Sequence, residues 1–324
     1  MIENYTILIL GAGASKPYGL PLGWELRDRI FKWADNMPTD LAQECFWACD
    51  HTAEDVHRCA QAFMRSGIAS IDTFVLHQPE WANCAKLLIA WEIGIDEKPE
   101  RLVSHGPDEW YVYLWSRLLA EPPGLASILE KNRLKVITFN YDRSLEHFLY
   151  LVAKSTYRTS RQAALEFVKS LDILHVHGAA GTFGLSTGDH ERSYAPIRNG
   201  RELAIAAAGL RIIPEVRGDS AEFRIAKEWL RHAERIVFMG FSFDEVNCNR
   251  LGLAAVLAES DPSDLSKVIL ACTCGLRRGE IEAMKQYVCP QDDWETDDAR
   301  NLDFLRNTGA LLPIPPSKRF LRKR

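Results

Sequence analysis

The chain has 324 residues, of which 47% are hydrophobic and 26% are charged, and its formal net charge is −5. These values are typical of a globular protein with one large domain or two smaller ones, and the mildly acidic charge gives no general attraction to nucleic acid or anionic membranes. No apolar stretch is long enough to span a bilayer and no secretory signal opens the chain, so we expect a cytoplasmic protein that binds neither membranes nor nucleic acid directly.

The first predicted element is a strand that runs directly into a glycine loop. The apolar run Thr6–Leu10 is short enough to be a buried parallel strand, and Gly11-Ala12-Gly13-Ala14-Ser15 follows it. Glycines at this place let the backbone approach a pyrophosphate and direct a helix N-terminus at it. Ser15 would then donate its hydroxyl to a phosphate oxygen. The alternative is a tight strand-to-helix turn without a ligand, because Lys16 stands where the dinucleotide fingerprint has its third glycine.

The rest of the chain predicts an α/β fold, a Rossmann-like parallel sheet interrupted by a large helical insertion. Residues 36–131 contain amphipathic stretches without a convincing strand, whereas residues 1–35 and 132–290 form the predicted core. We expect residues 181–218 to be irregular and lid-like, and residues 310–324 to form a basic, solvated tail. The whole chain, 1–324, is read as a single domain. The later predicted strands are 135–139, 173–178, 235–239 and 267–271, with a helix at 221–233.

Polar or glycine-rich motifs follow three of these later strands. Asn140 and Asp142 end the strand at 135–139, His177 ends the next, and Gly240 and Ser242 end the strand at 235–239. The carboxyl ends of parallel strands share one edge of a sheet, where ligands bind, so we expect these residues to form one site with the glycine loop. Alternative interpretations are that Asp142 caps the following helix and that Gly240 and Ser242 form an ordinary turn.

The sequence offers two histidines but no metal site. We expect only one of His175 and His177 to enter the cleft, and His177 is favoured because Gly178 follows it at the strand end. A structural histidine is the alternative. The eight cysteines contain no C-x-x-C pair, and the spacing of the cysteines and histidines between Cys45 and Cys59 matches no zinc site, so no metal is expected.

Taken in order, these motifs resemble the SIR2 (sirtuin) family. The matching residues are Gly11 to Ser15, Asn140 with Asp142, His177-Gly178, and Gly240 to Ser242. A closer resemblance is to bacterial SIR2-like proteins of antiphage defence, which share the Gly-Leu-Pro-Leu-Gly run at 19–23 and a Ser-Ile-Asp-x-Phe segment at 70–74. The resemblance implies a SIR2-like, DHS-type fold. Because the two C-x-x-C pairs of deacylating sirtuins are absent, it also implies no zinc-ribbon small domain.

The resemblance further implies an NAD⁺ hydrolase that cleaves the nicotinamide–ribose bond, with NAD⁺ as substrate. Asn140 would position water or ribose, His177 would act as general base, and Asp142 would orient the turn or contact the ribose. Gly11, Ala12, Gly13 and Ser15 would hold the pyrophosphate, and Gly240 and Ser242 the adenosine side. Asp72 would either join the pocket or cap a helix.

Other functions remain open at this stage. One is a regulatory module that binds NAD⁺ or ADP-ribose without turnover, and another is a protein ADP-ribosyltransferase or deacylase. For a defence enzyme that depletes NAD⁺, the resemblance implies a homo-oligomer or a separate partner, such as an ATPase encoded nearby.

Overall fold

A computed structural model of the chain describes residues 1–36, 38–103, 106–119, 124–184, 190–212, 220–258, 267–288 and 294–315. The predicted basic tail at 310–324 lies mostly outside these residues. Within them, none of the helices has the length and apolar character that crossing a membrane requires.

Six parallel strands form the main sheet of the described residues. Their order across the sheet is β3-β2-β1-β6-β7-β8, and a separate two-stranded sheet pairs β4 with β5. The strands are β1 (Thr6–Leu10), β2 (Leu134–Thr138), β3 (Ile173–His175), β4 (Thr182–Phe183), β5 (Glu191–Arg192), β6 (Arg235–Met239), β7 (Val268–Cys272) and β8 (Trp294–Asp297). Without the small sheet, the order is the 3-2-1-4-5-6 order of a dinucleotide-binding fold. The predicted α/β class with a Rossmann-like parallel sheet is confirmed.

Helices cover both faces of this sheet. They are α1 (Ala12–Ser15), α2 (Gly23–Asp35), α3 (Asp40–Trp47), α4 (Ala53–Ser66), α5 (Ile71–His77), α6 (Ala82–Gly94), α7 (Trp110–Leu118), α8 (Leu125–Lys131), α9 (Ser144–Tyr157), α10 (Arg161–Lys169), α11 (Gly200–Gly209), α12 (Ala221–His232), α13 (Glu245–Leu251), α14 (Leu253–Ala258), α15 (Arg278–Val288) and α16 (Asn301–Thr308). Short 3₁₀ turns lie at Lys16–Tyr18, Pro79–Trp81 and Pro99–Leu102.

The side chains of β1 divide the core into two clusters. Leu8 and Leu10 pack with residues of the insertion and of α9, α10 and α16, whereas Ile7 and Ile9 pack with α12 to α15. Alternate residues of a strand point to opposite faces, so the two clusters lie on the two faces of the sheet. The chain changes face where it passes from β3 to β6, and this makes the carboxyl ends of β1 and β6 the switch point of the fold.

A buried ionic cluster joins the helical insertion to the core. Glu97, which follows α6, accepts hydrogen bonds from Arg143, before α9, and from Arg192, in β5. The three residues are 0%, 0% and 2% exposed. Arg143 also donates to the Arg192 carbonyl at 2.6 Å. Charges this deeply buried require partners, so the cluster fixes how β5 and the insertion meet.

Several strand and helix predictions are confirmed closely, and two are wrong. Thr6–Leu10 and Arg235–Met239 are strands with the expected ends, and the helix at 221–233 is observed as α12. The prediction of an irregular segment at 181–218 is wrong for α11, whose first turn is capped by the Asn199 side chain. The predicted core also ended at residue 290, and β8 lies beyond that limit.

Candidate active site at the carboxyl edge of the sheet

The glycine loop after β1 is packed directly against the loop after β6. The amides of Gly11 and Gly13 donate to the carbonyls of Met239 and Gly240, each at 3.0 Å. A Cβ atom on Gly11 would lie 2.4 Å from the Gly240 oxygen, and one on Gly13 would lie 2.6 Å from the Gly240 Cα. The glycines are therefore required by contact between two backbones, and these two amides already have acceptors.

Asn140 connects the end of β2 to the same loop. Its Nδ2 donates to the carbonyl of Gly11 at 2.9 Å and to Ser15 Oγ at 3.0 Å. Among the described residues, its Oδ1 has no hydrogen-bond partner. Ser15 is 4% exposed and its hydroxyl in turn donates to Asp142. The predicted partners Gly11, Ser15 and Asn140 are therefore in direct contact.

Asp142 is turned inward at the start of α9. Its Oδ1 accepts from the Ser144 amide at 3.0 Å and also from the Ser144 hydroxyl. Burial raises the pKa of Asp142, against the opposing effect of its hydrogen bonds from Ser144 and Ser15. Ser144 Oγ shares a further hydrogen bond of 2.7 Å with the Tyr111 hydroxyl. The helix-capping interpretation of Asp142 is confirmed.

His175 lies in a polar cluster with Asn140 and Glu146. Its Nδ1 is 2.9 Å from the Asn140 carbonyl oxygen, and its Nε2 is 2.6 Å from Glu146 Oε1. Burial lowers the pKa of His175, but the attraction and hydrogen bond of Glu146 outweigh it, and the net result is a raised pKa. A cavity of about 10 Å³, close to the size of one water, lies among Ser15, Asn140, Asp142 and His175.

His177 lies in a different, mostly aromatic environment. In a regular strand it would share a face with His175, but β3 ends at His175 and the chain turns. The ring of His177 has its centroid 5.5 Å from that of Phe139, 5.9 Å from Phe223 and 6.4 Å from Tyr141. The side chain is buried, and Nδ1 has no hydrogen-bond partner within the described part of the chain.

Two long-range contacts complete the surroundings of His177. Its Nε2 is 3.2 Å from Asn247 Oδ1, and Asp72 accepts a hydrogen bond of 3.1 Å from the Tyr141 hydroxyl. Burial lowers the pKa of His177, and the negative charge of Asp72 opposes this effect only in part. Asp72 also attracts Arg250 of α13. Asp72 thus belongs to the pocket around His177, the first of the two readings given to it.

The loop after β6 adopts two left-handed backbone conformations, at Gly240 (φ 56°) and Phe243 (φ 54°). Gly240 contacts the glycine loop, whereas Ser242 is exposed. Asp244 caps α13 by accepting from the Asn247 amide at 3.1 Å, which positions Asn247 toward His177. Sequence reasoning missed Asn247 because it is 70 residues from its partner.

Two further observations concern ligands. Within the ranges that the structure describes, no three or more His, Cys, Asp or Glu residues are grouped so that they could hold a metal ion. A cavity of about 90 Å³ is lined mainly by leucines of α7 to α9 and contains none of the predicted site residues. The polar motifs at the strand ends are therefore the candidate site.

Comparisons with known proteins add one likeness of fold. The chain matches no family model, and no curated protein matches it. Among solved structures, it is similar to a triple mutant of a Sir2 homologue in complex with 2′-O-acetyl ADP-ribose. The identity is 12%, 97% of this chain and 96% of that chain are covered, and the TM-score is 0.42. A likeness of this size assigns neither a family nor a ligand to the chain.

Proposed function

We propose that the chain is a SIR2-like NAD⁺ hydrolase that cleaves the bond between nicotinamide and ribose. The observation that carries this proposal is the meeting of four strand-end motifs at the switch point. Asn140 is hydrogen-bonded to Gly11 and Ser15, Gly240 packs on Gly11 and Gly13, and His177 packs beside Phe139. A dinucleotide lying across this edge would have an amide and an imidazole near one of its riboses.

The chemistry asks little of a general acid. Nicotinamide leaves NAD⁺ as a neutral molecule, so its departure needs no proton, and the transition state resembles the oxocarbenium ion of glycoside hydrolysis. The protein must hold the ribose, shield the positive charge and deliver water. Nicotinamide and ADP-ribose are the expected products.

His177 is the proposed general base. Because burial lowers its pKa, the imidazole is neutral near pH 7 and can accept a proton from water or from a ribose hydroxyl. If Nε2 donates to Asn247 Oδ1, Nδ1 is the atom with a lone pair for that proton. The enclosing rings of Phe139 and Phe223 would exclude bulk water from the cationic intermediate.

Asn140 is proposed to join the phosphate loop to the reacting ribose. Its Nδ2 holds the loop through Gly11, and its Oδ1 is available to a water or a ribose hydroxyl. Asp142 contributes through the turn that it caps, since its carboxylate is occupied by Ser144. Ala12 and Ser242 remain proposed contacts of the pyrophosphate and of the adenosine side.

The wider setting is proposed from the resemblance of the motifs to antiphage SIR2-like proteins. NAD⁺ depletion during infection would be its purpose, in the cytoplasm, with activity controlled by homo-oligomerisation or by a partner such as an ATPase. We also retain the single-domain organisation, with residues 36–131 inserted into the core.

A second candidate function is favoured by the burial of His177, which is 5% exposed. A base this enclosed also suits a module that binds NAD⁺ or ADP-ribose without turnover. Calorimetric binding without release of nicotinamide would support this candidate.

The deciding experiment incubates the purified full chain with NAD⁺ and follows nicotinamide and ADP-ribose by chromatography. We expect hydrolysis by the wild type and by His232→Ala, a control at an exposed histidine, and its loss in Asn140→Ala and His177→Ala. Labelled NAD⁺ that ends on protein would instead indicate ADP-ribosyl transfer. Unchanged hydrolysis in His177→Ala, with the fold retained, would overturn the proposed mechanism.

A further inference from the structure

Side chains from three distant parts of the chain donate to carbonyl groups of the glycine loop. Asn140 holds the Gly11 oxygen at 2.9 Å, Asn301 Nδ2 holds the Gly13 oxygen at 3.1 Å, and Trp110 Nε1 holds the Ala14 oxygen at 2.8 Å. Only Asn140 belongs to the strand-end motifs. We infer that Trp110 and Asn301, here called the loop anchors, are positioning residues that set the loop for dinucleotide binding. This inference rests on the proposed function.

The loop anchors are themselves buried and held in place. Trp110 is 0% exposed and Asn301 is 6% exposed. Asp108 accepts from Asn301 Nδ2 at 3.1 Å and from the amide of Leu302 at 2.7 Å. Its carboxylate thus caps α16, whose own preceding residue provides no side-chain cap, and orients Asn301 toward the loop. The segment 108–110 therefore fixes both anchors at once.

Fixing these carbonyls also fixes amides. In a trans peptide unit, the C=O of one residue and the N–H of the next point in opposite directions. Holding the oxygens of Gly11 and Ala14 therefore determines the direction of the N–H groups of Ala12 and Ser15. Without an anchor, a carbonyl could rotate outward and turn its partial negative charge toward a phosphate.

The benefit to binding is preorganisation. A loop whose peptide planes are already ordered pays less conformational entropy when the ligand arrives. The anchors touch neither Asn140 nor His177 in the hydrogen bonds described above, so their loss should affect binding much more than the chemical step.

The test measures binding of ADP-ribose by calorimetry and the kinetics of nicotinamide release from NAD⁺. For Asn301→Ala we expect the Kd of ADP-ribose and the KM for NAD⁺ to rise about tenfold, as loss of one buried hydrogen bond predicts. The kcat at saturating NAD⁺ should stay within about threefold of the wild-type value, since the reacting groups are unchanged.

A second variant and a matched control make the test decisive. Trp110→Phe removes the indole N–H but keeps an aromatic ring, and it should weaken ADP-ribose binding in the same way. Asn307→Ala removes a side-chain amide from the same helix, where it donates to Asp297 at 2.8 Å away from the loop, and should bind normally.

The outcomes separate this inference from the proposed function. A wild type that binds neither NAD⁺ nor ADP-ribose refutes the proposed function. A wild type that binds, with Asn301→Ala and Trp110→Phe binding equally well, refutes the anchors alone. An equal fall in kcat, or the unfolding of both variants, would also refute them, because the residues would then serve catalysis or the fold in general.

Discussion

The polar cluster around His175 and the aromatic enclosure around His177 are separated by one residue of the chain. In the polar cluster, both ring nitrogens of His175 have partners, Glu146 at 2.6 Å and the Asn140 carbonyl at 2.9 Å. In the aromatic enclosure, one nitrogen of His177 is 3.2 Å from Asn247 and the other has no partner among the described residues. The end of β3 at His175 creates this division.

The two environments shift the proton affinity of imidazole in opposite directions. Burial lowers the pKa of both side chains, but Glu146 reverses the effect for His175 and Asp72 does not for His177. An imidazolium that donates from both nitrogens suits a structural link between α9 and the Asn140 turn. A neutral imidazole with a spare nitrogen suits proton transfer.

The largest expected effect is on activity, from His177→Ala. We expect NAD⁺ hydrolysis to fall by at least about 100-fold, which is the range for loss of a general base. The thermal unfolding temperature should change little, because Nε2 makes a single long hydrogen bond. Chromatographic assay of nicotinamide, with His232→Ala as control, checks the result, and a fall of less than about threefold would contradict the assignment.

The next effect is on stability, from Glu146→Gln. The His175–Glu146 side chains are 14% and 11% exposed, so breaking this pair should cost about 3 kcal/mol. The Glu146 pKa is lowered from 4.5 despite burial, since His175 attracts the carboxylate, so its contribution is present above pH 4.5 and lost as pH falls. The raised pKa of His175 makes its contribution present below pH 6.5 and lost as pH rises through that pKa.

Urea unfolding at about pH 5.5, between these two limits, should therefore show the full cost, and at about pH 9 a smaller one. Glu228→Gln is the matched control, because Glu228 also faces a histidine, His232, but both side chains are more than half exposed. It should change the free energy of unfolding by less than about 0.5 kcal/mol. Equal costs at the two pH values would show that His175 is not charged in the folded protein.

Much of the fold could be predicted because local patterns decide it. β1 and β6 are continuous apolar runs closed by glycine, and their ends were predicted to the residue. β8 was missed because Trp-Glu-Thr-Asp has a single apolar residue, and its pairing with β7 makes it a strand. α11 was missed because its alanines lie in a segment that glycine and charged residues otherwise dominate.

The site was predictable only as far as the rule for strand ends reaches. That rule brought Gly11, Asn140 and Gly240 together, but it could not show that the glycines serve contact between two backbones. Glu146, Asn247 and Asp72 meet their histidines through tertiary packing. No local pattern marks such pairs, which are up to 70 residues apart among the hydrogen bonds of these histidines.

The third expected effect is on the pH dependence of hydrolysis. A general base with an unperturbed pKa would lose half its activity at pH 6.5, whereas burial lowers the pKa of His177. The acid limb of kcat/KM should therefore lie below pH 6.5. A limb at or above pH 6.5 would indicate that a group like His175, whose pKa is raised, controls the rate.

The smallest expected effect is a shift of this acid limb in Asp72→Asn. The Asp72 carboxylate raises the pKa of His177 and opposes both burial and the positive charge of Arg250. Asparagine keeps the shape and can still accept from the Tyr141 hydroxyl, so the pocket should persist while the charge is lost. The limb should then move to lower pH, with kcat near pH 8 within about threefold of wild type. Tyr141→Phe is the control for the hydrogen bond, since it removes the hydroxyl and leaves the charge. If the limb stays in place in Asp72→Asn, the charge of Asp72 does not act on the base, and the insertion contributes only shape to the pocket.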